Sequence, residues 1–223
     1  LIGTTPLYSS SSASFITEGR GGTIDSEYNT VTKDRVSGFG DLYVQPLGLC
    51  WGFNQFDLTA VYGFTAPTGR YTTGADDNVG LGFWTHQVQA WGNLYPVEDQ
   101  STALVLGLTY ELNGELKDAD FNPGNRLSLE WAISQYVSDR MELAVMGGHN
   151  WQVTDDRGSV VDWDTSVHDK KSTLSFTAGY WVWNQRMQLT AKYAFDYACA
   201  QRFKTNFFML NLTFLTNALT GSN

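Results

Sequence analysis

The sequence predicts an all-β protein: a transmembrane antiparallel β-barrel of the outer-membrane type, with twelve strands or, as the alternative, ten. Three observations lead to this class. Side chains alternate between apolar and polar through most of the chain, which places every second side chain on one face of a strand. Charged residues lie opposite the apolar row of their strand. The links between the strands alternate between short and long.

The composition excludes several other classes. The 223 residues are 42% hydrophobic, 14% aromatic and only 17% charged, which is unlike a disordered chain. The apolar runs, such as 103–106, are far shorter than a membrane-spanning helix requires. The net charge of −9 comes without a basic patch, so we expect no nucleic-acid partner. All-β barrels of this length form one domain, which we expect to cover residues 1–223.

The strands follow from the alternation in chain order. In 55–66, for example, Phe56, Leu58 and Ala60 form one row, while Asp57 and Thr59 belong to the other. Two more segments, 41–51 and 80–95, are expected to be strands, but their inward face is not defined by the pattern. The segments that alternate clearly are 55–66, 102–113, 125–137, 141–154, 172–183, 186–200 and 204–215.

The charged residues distinguish a membrane barrel from a soluble sandwich. A basic residue that faces lipid at the bilayer midplane costs about 2–4 kcal/mol and an acidic residue somewhat less, whereas a lumen can hydrate or pair both. A sandwich would instead bury an apolar interior and place polar residues outside. We therefore expect the residues opposite the apolar rows to line a lumen, where Lys192 forms an ion pair or a water-bridged network with at least one carboxylate. These residues are Asp57, Glu111, Glu130, Glu142, Lys192 and Asp196, joined by the apolar Met146, Trp181, Phe207 and Met209.

The link lengths give an independent test. The predicted links at 52–54, 96–101, 138–140 and 184–185 are short, whereas those at 67–79, 114–124 and 155–171 are long. Outer-membrane barrels have short periplasmic turns and longer extracellular loops. With both termini in the periplasm, this order requires an odd number of strands before residue 41, and three of them complete the count of twelve.

Residues 1–37 are weakly patterned, so part of this segment either forms strands or lies across the lumen. The segment begins without the charged and apolar regions of a signal peptide, so we expect that any such peptide has been removed or never existed. Aromatic residues are expected to form two girdles, one at each membrane interface. Tyr95 and Tyr136 are assigned to the periplasmic girdle, and Trp151 and Tyr197 to the outer one.

Few residues suggest catalysis. His86, His149 and His168 are isolated, no nucleophile elbow is present, and a structural or solvated role is favoured for each over a Ser-His-Asn site of a barrel lipase. Cys50 and Cys199 are expected to remain unbridged because they lie on distant strands. The acidic loops match no calcium-binding spacing, so we expect neither a metal nor a cofactor.

Pro46 is the least expected residue within a strand. Proline cannot donate to the hydrogen-bond ladder and is normally confined to edges or bulges, yet a closed barrel has no edge. Its presence predicts a local break in pairing. The break is either an ordinary bulge near the rim or a weak seam in the wall, with Gln45, Pro46 and Pro67 as candidates for a lateral opening.

Four motifs make the sequence familiar. They are Gly38-Phe39-Gly40-Asp41-Leu42 followed by Gln45-Pro46, the segment Ala66-Pro67-Thr68-Gly69-Arg70-Tyr71, the segment Asn78 to His86, and Trp151 to Asp156. Together they resemble the outer-membrane channel family associated with meta-pathway phenol degradation. The resemblance implies a monomeric barrel in the outer membrane of Gram-negative bacteria, surrounded by lipid and lipopolysaccharide. It also implies uptake of small hydrophobic molecules, some of which leave sideways through the wall.

Three functions are therefore weighed. The first is a passive channel for small hydrophobic, including aromatic, compounds, which the apolar lumen candidates favour. The second is a general diffusion porin, which needs a polar, water-filled interior. The third is a lipid-modifying enzyme, which depends on His86 or His149. We expect a channel and not an enzyme.

Overall fold

The computed structural model describes residues 15–25, 30–75, 77–183, 186–202 and 204–214, with side chains from Gly38 onward. All regular structure in these ranges is β-strand. No described helix is long and apolar enough to cross a membrane. The strands are β1 Phe15–Asp25, β2 Thr30–Phe39, β3 Leu42–Gly52, β4 Phe56–Ala66, β5 Thr85–Leu94, β6 Thr102–Asn113, β7 Arg126–Ser138, β8 Met141–Gln152, β9 Lys170–Val182, β10 Met187–Ala200 and β11 Asn206–Phe214.

The strands pair in the order in which they follow one another. β3 to β11 form one nine-stranded antiparallel sheet in sequence order, and β1 and β2 form a separate two-stranded sheet. The antiparallel all-β class is thus confirmed. The count of twelve is not, because the described ranges contain eleven strands. Residues 1–14 and 26–29 of the N-terminal segment lie outside the described residues.

The links of the nine-stranded sheet confirm the predicted alternation. Links at 53–55, 95–101, 139–140 and 183–186 lie at one end, which we call the turn end. Links at 67–84, 114–125 and 153–169 lie at the other, which we call the loop end. The link at 201–205 also lies at the loop end and is shorter than the others there.

Hydrogen bonds set the starts of β5 and β9 away from the positions that the sequence pattern predicts. β5 starts at Thr85 rather than near residue 80, because Leu81 N–H donates to Asp41 Oδ2 and Gly82 turns at a φ of 78°. β9 starts at Lys170 rather than 172, because Lys170 and Lys171 pair with Trp151 and Asn150 of β8. Hydrogen bonds to residues distant in the chain decide both boundaries.

The sheet has one apolar face and one polar face. The apolar face exposes large side chains, including Leu106 (57% exposed), Leu108 (49%) and Leu210 (62%). Its members alternate with smaller or polar residues that belong to the other face, such as Gly107 and Thr109 on β6. Buried apolar residues in the described part are few and mostly small, with Ala66, Ala132 and Ala194 among them. This sheet therefore does not enclose the apolar core that a soluble sandwich requires.

The six charged residues singled out in the sequence all lie on the polar face. The cross-strand pairs establish it: Asp57 pairs with Asn93, Glu111 with Gln87, and Asp196 with Thr173. Glu130 and Lys192 occupy equivalent positions beside Gly148 and Thr177, and Glu142 lies beside Gly179 of β9. Met146, Trp181, Phe207 and Met209 share this face.

Candidate functional site

The polar face encloses a cavity of about 510 Å³. Its lining comes from β5 to β11 and from the link before β11, so every strand in the second half of the sheet contributes. Four basic side chains reach it, Arg126, Lys171, Lys192 and Arg202, together with the carboxylates of Glu111, Glu130 and Asp196. The cavity is thus the place where both signs of charge and several apolar side chains meet.

An apolar row crosses the cavity wall from strand to strand. Val105, Ala132 and Met146 are successive cross-strand neighbours on β6, β7 and β8. The row continues through Ser175 and Ala194 to Phe207 on β11. Ser175 turns its hydroxyl to Met146 O at 3.5 Å, so its polar atom is directed at the backbone. An apolar strip within a charged cavity suits a solute that is itself partly apolar.

Next to this row, towards the loop end, lies a gap at Gly148. Glu130, Gly148, Thr173 and Asp196 form the neighbouring cross-strand row. A Cβ added at Gly148 would meet no atom within 4 Å, so the wall is recessed there. We call this hollow the Gly148 recess.

Charged groups surround the recess in two ion pairs. Arg126 binds Asp169 through two parallel bonds, Nη1 to Oδ1 at 2.6 Å and Nη2 to Oδ2 at 2.5 Å. Lys171 Nζ lies 2.6 Å from Asp196 Oδ2. Asp196 also accepts bonds from the hydroxyls of Thr173 and Thr205, so its buried carboxylate is fully satisfied. Bidentate and charge-assisted bonds of this kind hold side chains in one geometry.

A lysine that the sequence pattern did not single out pairs with a carboxylate. Lys171 forms this pair, and the described residues contain no direct ion pair of Lys192. Lys171 was missed because of the boundary of β9. Lys171 was counted as loop, but it is a strand residue whose side chain points to the polar face near Asp196.

A chain of hydrogen bonds links the cavity to strand β3. Glu111 Oε1 accepts from Gln87 Nε2 at 3.0 Å, and Gln87 Oε1 accepts from Gln89 Nε2 at 2.7 Å. The same Gln89 nitrogen donates to Tyr43 Oη at 3.0 Å. These bonds hold the Tyr43 side chain across β4, above the Cα of Gly63. A Cβ at Gly63 would collide with the Tyr43 ring.

Pro46 lies at a break in the pairing of β3 with β4. The register shifts between Val44 and Leu47, so Gln45 and Pro46 together face the single residue Gly63. The predicted local break is therefore present and takes the form of a β-bulge. Tyr43, described above, covers the bulge from the polar face. We call this part of the wall the β3–β4 seam.

Pro67 lies beyond the end of β4, at the base of the long link 67–84. This link is fastened to the start of β3: Leu42 N–H donates to Thr68 Oγ1, and Gly69 N–H donates to Asp41 Oδ1 at 2.8 Å. Gly80 and Gly69 approach so closely that a Cβ on either would collide with the other's backbone. The glycine-rich motifs of the sequence thus meet around the Asp41 carboxylate.

The remaining polar-face candidates have local partners. Asp57 accepts from Tyr95 Oη at 2.7 Å, Glu142 accepts from the Ser134 hydroxyl, and Trp181 Nε1 donates to Tyr136 Oη at 3.2 Å. Tyr95 and Tyr136 lie at the turn end, as predicted, but they turn towards the polar face and not towards an outer aromatic girdle. Each phenol hydroxyl hydrogen-bonds to a polar partner on that face.

Links 114–125 and 153–169 interlock above the cavity. Asn122 and Arg157 pair as an isolated bridge, Gly124 N–H donates to Asp156 Oδ1, and Phe121 contacts the edge of Trp163. A second cavity of about 390 Å³ is lined by the link 153–169 together with Gln152 and Gln201. Asp169 lines this outer cavity and Arg126 lines the main one, so their ion pair separates the two. Sequence reasoning missed both Arg126 and Asp169, and no local pattern pairs residues so far apart in the chain.

His86 and His168 lie away from the main cavity, whereas His149 belongs to its lining. His86 and His149 are on the apolar face, where Nδ1 of His86 is 2.7 Å from Tyr62 Oη and Nδ1 of His149 is 3.0 Å from Ser172 Oγ. His149 also stacks on Trp151. His168 contacts Asp155 in an outer link. In the part of the chain that is described, no carboxylate or amide hydrogen-bonds to His149. His149 and Ser172 therefore lack the third residue that a catalytic triad requires.

The cysteines and acidic links give no further site. Cys50 and Cys199 are not joined by a disulfide, as expected. Within the described residues no three His, Cys, Asp or Glu side chains gather in a way that could hold a metal ion.

A sheet that is apolar on its exposed face and charged around a half-open cavity on the other face is typical of the wall of an outer-membrane β-barrel. The sequence matches the family model described as "Putative MetA-pathway of phenol degradation" over residues 8–212, and the chain belongs to this family. The resemblance found in the four motifs is thus confirmed. No curated protein sequence matches the chain.

The fold has a counterpart among solved structures. The crystal structure of an outer-membrane channel from Pseudomonas putida F1 matches with a TM-score of 0.69 and 22% sequence identity. The match covers 82% of this chain and 70% of that channel. At this identity the likeness establishes a shared fold.

Proposed function

We propose that the protein is a monomeric outer-membrane channel that takes up small hydrophobic compounds passively. The observation that carries the proposal is the inversion of the two faces: apolar side chains are exposed on one, and six charged residues lie on the other. Lipid is the solvent that suits the first face, and a lumen suits the second. The shared fold with a bacterial outer-membrane channel supports the same assignment.

The apolar row favours hydrophobic solutes over hydrophilic ones. A general porin depends on a wide, polar interior filled with water. Met146 and Phe207 instead offer apolar surface inside the cavity, where each Å² of apolar solute removed from water gains about 25 cal/mol. The Arg126–Asp169 pair and the interlocked links narrow the entrance from the loop end.

We further propose that the solute leaves through the β3–β4 seam. Gln45 and Pro46 bulge out of register, and Pro46 lacks the amide that would donate a ladder bond. Opening the wall there breaks fewer bonds than opening a regular strand pair. A side exit also keeps an apolar solute out of water, whereas an exit through the turn end would expose it.

A disulfide across the seam tests the side exit. Leu47 and Tyr62 are cross-strand partners beside the bulge, and Leu143 and Ala178 are partners in the regular β8–β9 wall. Cysteine pairs at these two places, in a chain carrying Cys50→Ser and Cys199→Ser, give a test and a matched control. In proteoliposomes, oxidation of Leu47→Cys/Tyr62→Cys should slow naphthalene uptake about tenfold and leave ion conductance unchanged.

The control pair should not alter uptake. Unchanged uptake in a fully oxidised seam variant would remove the lateral route and leave an axial channel. Rapid, unselective swelling with small sugars would contradict the hydrophobic channel as a whole and favour the general porin. Hydrolysis of lipid that disappears in His149→Ala would favour the enzyme.

A further inference from the structure

We propose that the Gly148 recess binds small amphipathic carboxylates, with the carboxylate at Arg202 and the apolar part on the apolar row. This inference deepens the channel proposed above and rests on it. It concerns which hydrophobic compounds the cavity prefers: those that carry one negative charge at an end.

The first argument is the local charge. The chain as a whole has a net charge of −9, with 23 acidic and 14 basic residues. Around the cavity this excess disappears, since the four basic side chains of the lining face three carboxylates there and Asp169 beside Arg126. A cavity without the acidic excess of the whole chain repels anions less than the rest of the protein surface does.

The second argument is the convergence of two guanidinium groups. Nη1 of Arg126 and Nη1 of Arg202 both donate to Oδ1 of Asn150, at 3.0 and 2.9 Å. Arg126 is neutralised by Asp169, and the neighbouring Lys171 is neutralised by Asp196. No carboxylate forms an ion pair with Arg202 within the described residues. The positive charge of Arg202 is thus held in place by Asn150. The remaining N–H groups of Arg202 are able to bind a carboxylate in the bidentate manner typical of arginine.

The third argument is the space beside Arg202. Asn150, Gly148 and Met146 follow one another on the polar face of β8, at intervals of about 7 Å. The recess at Gly148 therefore lies between the bound guanidinium and the apolar row. A molecule with a charged head and a single ring or short alkyl body matches this sequence of surfaces. Lys192, on the far side of the row, offers a second cation on the way towards the turn end.

Two of the three carboxylates of the cavity, Glu111 and Glu130, lie on β6 and β7, across the recess from Arg202, Lys171 and Lys192. The third, Asp196 on β10, is held in its ion pair with Lys171. Glu111 is bound by Gln87 and interacts electrostatically with Arg126 and Arg202. A carboxylate at Arg202 therefore approaches the basic side, and Glu130 disfavours a ligand that reverses its orientation.

Three probes that share a phenyl ring but differ in charge separate the contribution of charge to binding from that of apolar contact. They are benzoate, benzyl alcohol and benzylamine. Calorimetric titration of the full chain in detergent, against empty micelles, should show benzoate binding about tenfold more tightly than benzyl alcohol. Arg202→Gln should abolish that preference and leave benzyl alcohol unaffected, while Arg202→Lys should restore part of it. Arg140→Gln, at an exposed turn far from the cavity, is the matched control and should change nothing.

Filling the recess gives a second, independent variant. Gly148→Leu should weaken binding of both benzoate and benzyl alcohol, because the side chain would occupy the space where the ring lies. Equal affinity for all three probes, tighter binding of benzylamine, or a benzoate preference that survives Arg202→Gln would overturn the inference. Uptake in proteoliposomes distinguishes the two proposals: if benzyl alcohol enters as fast as benzoate, only the carboxylate preference fails. If none of the probes enters, the channel itself fails.

Discussion

Two boundaries in the same sheet show how differently a β-wall can be held together. Between β8 and β9 the pairing runs from Met141 and Tyr180 to Trp151 and Lys170 without a shift. Between β3 and β4 it shifts at Gln45 and Pro46. The first boundary therefore has a full ladder of backbone bonds, whereas the second depends at its centre on a side chain, Tyr43, that covers the bulge from the polar face.

Glycine has a different role on each side of this comparison. In the regular part of the wall, Gly147 of β8 pairs with Trp131 of β7, and the indole lies across the glycine on the apolar face. At the seam, Gly63 lies under the phenol of Tyr43. The tryptophan contact is formed by the body of a large ring, and the tyrosine contact by the end of a side chain that can swing away. The wall is thus rigid at Gly147, where the Trp131 ring covers a regular ladder of backbone bonds. It is adjustable at Gly63, where the Tyr43 ring covers a break in the ladder.

The largest effect is expected at Gly147. Gly147→Ala would force Trp131 off the wall, and overpacking of this kind costs typically about 1–3 kcal/mol, so we expect a loss near the upper end of that range. The measurement is the urea midpoint of unfolding in lipid vesicles. Gly148→Ala is the matched control: its Cβ meets nothing within 4 Å, so its stability should change by less than about 0.5 kcal/mol. Equal losses in the two variants would show that the ring packing does not matter.

A smaller loss is expected at the seam. Gly63→Ala collides with the hydroxyl end of Tyr43, which can move at the cost of its bond from Gln89, so the expected loss is about 1 kcal/mol. Tyr43→Ala should remove most of this cost in the double variant, because the colliding group is then gone. A double-mutant cycle of unfolding free energies measures the coupling. Additive losses would mean that Tyr43 does not cover the bulge.

The sequence predicts the wall better than it predicts the site. Alternation of side chains depends only on neighbours along a strand, so the strands β4, β6 and β7 and the face of each charged residue could be read from it. The bulge at Pro46 was also predictable, since a missing amide is a property of the residue itself. Identifying Lys171 as the partner of Asp196 required the start of β9, which is decided by pairing with β8. The Arg126–Asp169 and Arg126–Asn150–Arg202 contacts join residues far apart in the chain, and no period within one strand encodes them.

The smallest effect is expected above the wall, in the links that cover its regular half, and it depends on pH. Asp120 and Asp164 are fully exposed, and hydrogen bonds from the hydroxyl and amide of Ser159 and of Ser166, respectively, lower their pKa below the ordinary value. A carboxyl whose folded pKa is lowered contributes stability above its unfolded pKa of about 3.9, and loses it as the pH falls through the folded value. These contacts should therefore persist at neutral pH and loosen only below about pH 4.

Amide hydrogen exchange can detect this loosening in the links 114–125 and 153–169. After correction for the intrinsic rates, the protection of the Ser159 amide, which donates to Asp120 Oδ2 at 2.9 Å, should fall on acidification. The amides of β8, which are held by the ladder, should keep theirs. Asp120→Asn keeps the size and an acceptor oxygen but cannot ionise, so the Ser159 amide of this variant should lose its dependence on pH. Protection that stays constant down to pH 3 in the unchanged protein would show that the Asp120 contact does not order the link.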